Sequence, residues 1–202
     1  MDLQRLGYVN LHIIDNNSSY TPLREWYKEC GCEVVCLDSN LGQLAVYNSD
    51  YINNFEQGSW IAYTDSDIEL NPNTPEAFIE KMIQLAEKYK YDKAGLALRI
   101  DDLPDSEYAN YARHWEKRYW EKSLETDVYI AGVDTTFSVI KVGLPFQYES
   151  IRIAGNMTAK HIPWYLDYNA LSDEEEYVLT RSSNEFSTTK RFVDSHSQTT
   201  GS

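Results

Sequence analysis

Long apolar runs are missing from this chain of 202 residues. No stretch approaches the ~20 consecutive apolar residues of a membrane-spanning helix, so no such span is expected. Basic charge is scarce: 18 Lys and Arg stand against 32 Asp and Glu, a net charge of −14. A chain of that sign repels phosphate backbones, and nucleic acid is not an expected partner. Cysteine is nearly absent. Cys30, Cys32 and Cys36 are the only three, with no second pair at zinc-ligand spacing. Reduced thiols at a small-residue junction between a helix end and a strand are therefore expected, rather than a disulfide framework or a zinc site. No Gly-rich basic phosphate loop stands near the start, which argues against a nucleotidyltransferase. The opening residues, MDLQRLGYVN, carry no basic segment followed by an apolar one, and the expected location is cytoplasmic.

Core material is plentiful. Hydrophobic residues make up 42% of the chain and aromatics 13%, too much for a disordered polymer and enough for one domain with its own core. That domain is expected over 1–181. Residues 182–202 are Ser/Thr-rich with few large apolar side chains and read as a loosely held polar tail. Apolar runs closed by polar turns predict strands at 11–14, 33–37, 59–64, 94–100, 128–131 and 135–142. Helical spacing predicts a helix opened by Pro22, another over 43–55 and an aromatic one over 106–122, with a short last one over 174–180. The clearest covers 75–90, with Phe78, Ile79, Met82, Ile83, Leu85 and Ala86 on one face. Strands alternating with helices imply an α/β fold, a mostly parallel central sheet with helices on both faces.

In such sheets ligands bind beyond the carboxyl ends of the strands. Four strand exits carry carboxylates here: Asp15, Asp38, Asp65 with Asp67, and Asp101 with Asp102. Asp65-Ser66-Asp67 is the sharpest of them. Two carboxylates one residue apart at the end of an apolar strand can both reach one hard cation, Mn²⁺ or Mg²⁺, which would neutralise a leaving diphosphate. A solvated turn is the plain alternative for any Asp-x-Asp. The aromatic face of Trp115, Tyr119 and Trp120 reads as core before it reads as a carbohydrate platform.

Five segments taken in order resemble a GT-A-fold glycosyltransferase of the broad family-2-like group that uses nucleotide sugars. They are Ile13-Ile14-Asp15-Asn16-Asn17-Ser18, Asn40-Leu41-Gly42, Tyr63-Thr64-Asp65-Ser66-Asp67, Ala131-Gly132-Val133-Asp134-Thr135-Thr136-Phe137, and Ala159-Lys160-His161-Ile162-Pro163-Trp164-Tyr165. The resemblance runs from 11 to 168. It implies a nucleoside-diphosphate sugar as donor and a glycan or other hydroxyl compound as acceptor. Asp15, Asn17, Asn40 and Gly42 would lie near the nucleoside. Asp65 would approach the ribose or the metal, Asp67 would ligate the metal, and His161 would return from a later loop to complete that site. Trp164 would help wall a sugar pocket.

Asp134 is the candidate general base of an inverting hexosyl transfer, taking the proton of the acceptor hydroxyl; a carboxylate capping its own turn is the alternative. Arg152 would sit near diphosphate oxygens, or in a surface ion pair. Asp101 and Asp102 would meet sugar hydroxyls, or lie in a solvated loop. One part of the pattern is not found: residues 1–8 look like the end of a helix leading straight into the second strand, so the first strand is expected to be absent. A non-catalytic module that binds nucleotide or glycan is the rival reading.

Overall fold

The computed structural model describes residues 2–168, 170–173 and 175. The strands are β1 His12–Asp15, β2 Glu33–Cys36, β3 Trp60–Tyr63, β4 Ile68–Leu70, β5 Lys93–Leu98, β6 Ser123–Glu125, β7 Val128–Ile130, β8 Ser138–Lys141 and β9 Ile151–His161. The α-helices are α1 Asp2–Arg5, α2 Thr21–Trp26, α3 Ala45–Asn48, α4 Phe78–Tyr89 and α5 Glu107–Glu116. The tail read at 182–202 lies outside the described residues, as does the helix read over 174–180 apart from Glu175.

The expectation of a mostly parallel GT-A sheet is overturned. β1 and β2 form a parallel pair of their own, and the other strands form a seven-stranded mixed sheet in the order β3-β8-β5-β9-β7-β6, with β4 also on β9. In that sheet β5 and β9 are parallel. β3 with β8, β5 with β8, β7 with β9, β6 with β7 and β4 with β9 are all antiparallel. The apolar runs that mark β3, β7 and β8 carry no sign of direction, and their partners β8, β9 and β5 are set by long-range pairing, which here is antiparallel in each case.

The longest strand, β9, is also the one the periodicity did not reveal. Its apolar run is interrupted by Arg152 and by Gly155-Asn156, where Gly155 takes φ +64° and the register with β5 shifts between Leu96 and Ala97. A bulge of this kind destroys the alternation that a sequence reading depends on. β4 and β6, three residues each, are too short to carry a period.

Helix α4 forms as its apolar face predicts. Phe78, Met82, Leu85 and Ala86 are buried against Ala94, Leu96 and Leu98 of β5, and Lys90 closes the helix in a left-handed conformation. Ser106 caps α5, its hydroxyl accepting from Ala109 N–H. Tyr108, Ala109 and Ala112 of α5 enter the same core. The helix read over 43–55 is instead α3 and a 3-10 turn, Tyr51–Asn54, broken at Asp50 with φ 58°. No helix among the described residues is long and apolar enough to cross a membrane.

Candidate active site

The β1–β2 pair and the seven-stranded sheet share no ladder, and a cleft of ≈ 1860 Å³ is lined by every residue of β1 and β3. Its polar end is built where β3 stops. The Asp65 Oδ2 carboxylate oxygen accepts a 2.8 Å hydrogen bond from the Thr135 hydroxyl, across from the β3–β8 ladder that pairs Tyr63 with Ser138. Two residues on, β4 pairs antiparallel with the end of β9, setting Ile68 opposite His161. The Ile162 N–H then donates to the Asp67 carbonyl at 2.9 Å. This ladder fixes Asp67 and His161 side by side, with His161 Nε2 at 3.4 Å from Asp67 Oδ2. Trp164 is buried and meets the His161 ring edge-on, centroids 4.9 Å apart.

The charges at this end are unbalanced. Burial, with Asp67 close by, pushes the Asp65 carboxyl up to about 8, against the hydrogen bond from Thr135. Asp65 therefore holds a proton at neutral pH. The folding stability tied to that proton is full below the ordinary carboxylate range and is lost as pH rises through about 8. Burial alone would also raise Asp67, but His161 outweighs it and holds Asp67 below its usual value. His161 is raised in turn: burial lowers it, and Asp67 more than reverses that. Three polar atoms of this group stay buried without partners, Asp67 Oδ1, His161 Nδ1 and Trp164 Nε1, as do Thr136 Oγ1 and Ser138 Oγ where β8 begins.

A carboxylate with an orphaned buried oxygen, beside a second one that burial and the first raise to about 8, fits a hard divalent cation. The set is incomplete as a cage. Among the described residues no group of three or more His, Cys, Asp or Glu side chains is arranged to hold a metal ion unaided. Mg²⁺ and Mn²⁺ sites often take their remaining ligands from water and substrate phosphates, and Asp65 and Asp67 are the side chains here that could hold such an ion.

Asp134 lies on the same cleft, exposed, between β7 and β8. Its Oδ1 accepts from Thr136 N–H at 3.1 Å, the turn-capping contact weighed as the plain alternative. Its charge also reaches the acidic end, where it contributes to raising Asp65 and His161.

The nucleoside-side residues divide. Asp15 is buried on the cleft wall, with Oδ1 accepting from Ser18 N–H at 3.0 Å and Oδ2 unpartnered. Asn40 and Gly42 also line the cleft, whereas Asn17 is exposed, takes φ 64° and does not line it. Its neighbour Asn16 holds the loops together instead. Asn16 Nδ2 donates to Asn40 Oδ1 at 2.8 Å and to Gly42 O at 3.0 Å, and its Oδ1 accepts from Leu41 N–H at 2.7 Å.

Three expected residues stand elsewhere. Arg152 is buried, its Nη1 at 2.6 Å from Glu116 Oε2 and its Nε donating to Gly132 O at 2.9 Å, so it offers nothing to a diphosphate in the cleft. The pairing of β7 with β9 sets Arg152 beside Tyr129, and its guanidinium lies over the Tyr119 ring. Asp101 and Asp102 are exposed and paired with Arg99, and Asp102 Oδ1 also accepts from the Tyr165 hydroxyl. They form the solvated loop. The aromatic face of α5 also departs from a plain core: Tyr108 is buried, but Tyr111 and Trp115 are 41% and 39% exposed, with Arg118 stacked on Trp115.

No protein-family model matches this chain, and no curated protein matches it significantly. Function has to be read from the side chains themselves. The residues to which a sequence reading assigns no role are Asn16, Thr135, Glu116 and Lys93. Asn16 and Thr135 stand inside the segments that carry the resemblance, and Lys93 is visible as a charged residue opening the apolar run Lys93-Ala94-Gly95-Leu96-Ala97-Leu98.

Proposed function

We propose that this protein is a metal-dependent glycosyltransferase, moving a sugar from a nucleoside-diphosphate sugar to a hydroxyl acceptor. One observation carries the reading. Asp65 and Asp67 meet at one end of a large cleft, the first raised to about 8 by burial and by its neighbour, the second with a buried oxygen unpartnered. Mn²⁺ or Mg²⁺ held there by Asp65 and Asp67, with His161 alongside, would supply the positive charge that a departing diphosphate needs.

The chain's own groups divide the remaining work. Asn16 draws Asn40 and Gly42 to the loop of Asp15, making a polar wall suited to a nucleoside. His161 orients Asp67 through Nε2, and Trp164 fixes the imidazole ring. Asp134, exposed on the cleft, takes the proton of the acceptor hydroxyl in an inverting transfer. A cytoplasmic location belongs to the same proposal.

The test is turnover. Incubated with a panel of uridine, guanosine, cytidine and thymidine diphosphate sugars and Mn²⁺, the protein is expected to release nucleoside diphosphate, and chelation is expected to stop it. Metal-dependent nucleotide binding without release of product from any donor would favour the non-catalytic module. Neither binding nor release would reject both readings.

A further inference from the structure

Between β7 and β8 the chain crosses residues 131–134 without regular secondary structure, yet each of the four carbonyls there receives a hydrogen bond from a buried side chain. Ser150 Oγ donates to Ala131 O at 2.8 Å, and Arg152 Nε donates to Gly132 O at 2.9 Å. Lys93 Nζ donates to both Val133 O and Asp134 O, each at 2.7 Å, and to Gln147 O at 3.2 Å. Packing adds to the hold. A Cβ on Gly95 would lie 2.5 Å from Val133 Cγ2, and one on Gly132 would lie 2.1 Å from the Tyr148 ring.

Lys93 is the unusual member of this set. It is 2% exposed, and all three ammonium protons go to backbone carbonyls, with the Phe146 ring 4.4 Å away. Burying a cation is costly unless it is hydrogen-bonded, and here the three carbonyls supply those bonds. Arg152 is neutralised by Glu116 at 2.6 Å; Lys93 relies on carbonyl dipoles. The group it holds is the backbone of Asp134, whose exposed side chain lines the cleft.

We infer that Lys93 is a positioning residue: its ammonium clamps the Val133-Asp134 turn and thereby sets where the Asp134 carboxylate stands in the cleft. The inference rests on the transferase reading for its catalytic consequence, but the clamp itself is independent of any substrate. A misplacement of about 1 Å in a reacting group can cost roughly a hundredfold in rate, so the consequence is a loss of turnover with little change in donor binding.

Lys93 has a further property that a test can use. Burial pushes its ammonium down to about 8; the charged groups facing it are Asp134 and Asp65, which raise it, and Arg152, which lowers it. Above that pH the neutral amine has two protons for three carbonyls, and the clamp loosens.

The experiment is amide NMR on the full chain, wild type and Lys93→Met, with the Thr136 N–H as reporter because it is donated to Asp134 Oδ1. In Lys93→Met the Thr136 amide is expected to exchange at least about tenfold faster at pH 7, as the cap opens more often, while the amides of α4 keep their wild-type protection. Unchanged Thr136 exchange in a folded variant overturns the clamp. Should Lys93→Met fail to fold, the wild type decides. The Thr136 shift must follow the Lys93 Nζ titration, and must do so in Asp65→Asn as well, since Asp65 titrates in the same range. A shift that follows Asp65 alone overturns the proposal. With an active donor in hand, kcat of Lys93→Met should fall about a hundredfold with KM for the donor within a few fold. If Thr136 responds but wild type turns over no donor, the clamp stands and the transferase reading fails.

Discussion

Replacing Arg152 by methionine is expected to lower the unfolding free energy by about 3–5 kcal/mol, the usual consequence of breaking a buried ion pair from one side. Arg152 and Glu116 side chains are each 4% exposed and 2.6 Å apart. Removing the guanidinium strands a carboxylate that burial already pushes up, held back by Arg152. It also leaves the Gly132 carbonyl without its side-chain donor. The double variant Arg152→Met/Glu116→Leu removes both charges and should recover most of the loss, falling short by about 1 kcal/mol for that missing hydrogen bond. Urea denaturation of the two variants beside wild type checks both statements. A single variant within about 1 kcal/mol of wild type would mean that water reaches the pair.

Asp134→Asn is expected to abolish transfer and leave nucleotide binding intact. Asparagine keeps the size of the side chain and an oxygen that can accept from Thr136 N–H, so the turn should survive. What it lacks is a basic oxygen, and a positioned general base contributes about 10²–10⁴-fold to rate. Donor affinity, measured without acceptor, should stay within a few fold, because Asp134 reaches the acidic end only through its field. Turnover of Asp134→Asn near the wild-type rate would remove Asp134 from the chemistry. Together with Lys93→Met, this variant separates the identity of the base from its placement.

Local features of the chain were legible in the sequence, and long-range ones were not. The face of Phe78, Met82, Leu85 and Ala86 announces α4 because a helix repeats its own period. Asp65 and Asp67 could be singled out because they follow an apolar strand within four residues, and their meeting with His161 depends on β9 returning beside β4. Sheet direction had no such local mark. Strands at 128–130 and 138–141 can be found from their composition, but their antiparallel pairing with β9, and with β3 and β5, joins segments far apart in the chain and is marked in neither segment alone. β9 stayed hidden because its bulge at Gly155-Asn156 breaks alternation. Arg152 went astray for a related reason: with no strand read over 151–161, it is expected near diphosphate oxygens or in a surface ion pair, whereas β9 buries it beside Tyr119. Lys93 and Glu116 show the same limit, since a buried charge and an exposed one are spelled alike.

The central claim is that Asp65 and Asp67 hold a divalent cation that in turn holds a diphosphate. The most direct measurement is calorimetric titration of nucleoside diphosphates into wild type and Asp67→Ala, each with and without Mn²⁺. The expected result is binding of at least one nucleoside diphosphate to wild type that depends on Mn²⁺, with that dependence lost in Asp67→Ala. Wild type that binds no nucleotide in a metal-dependent way, or an Asp67→Ala variant that binds as wild type does, would contradict it.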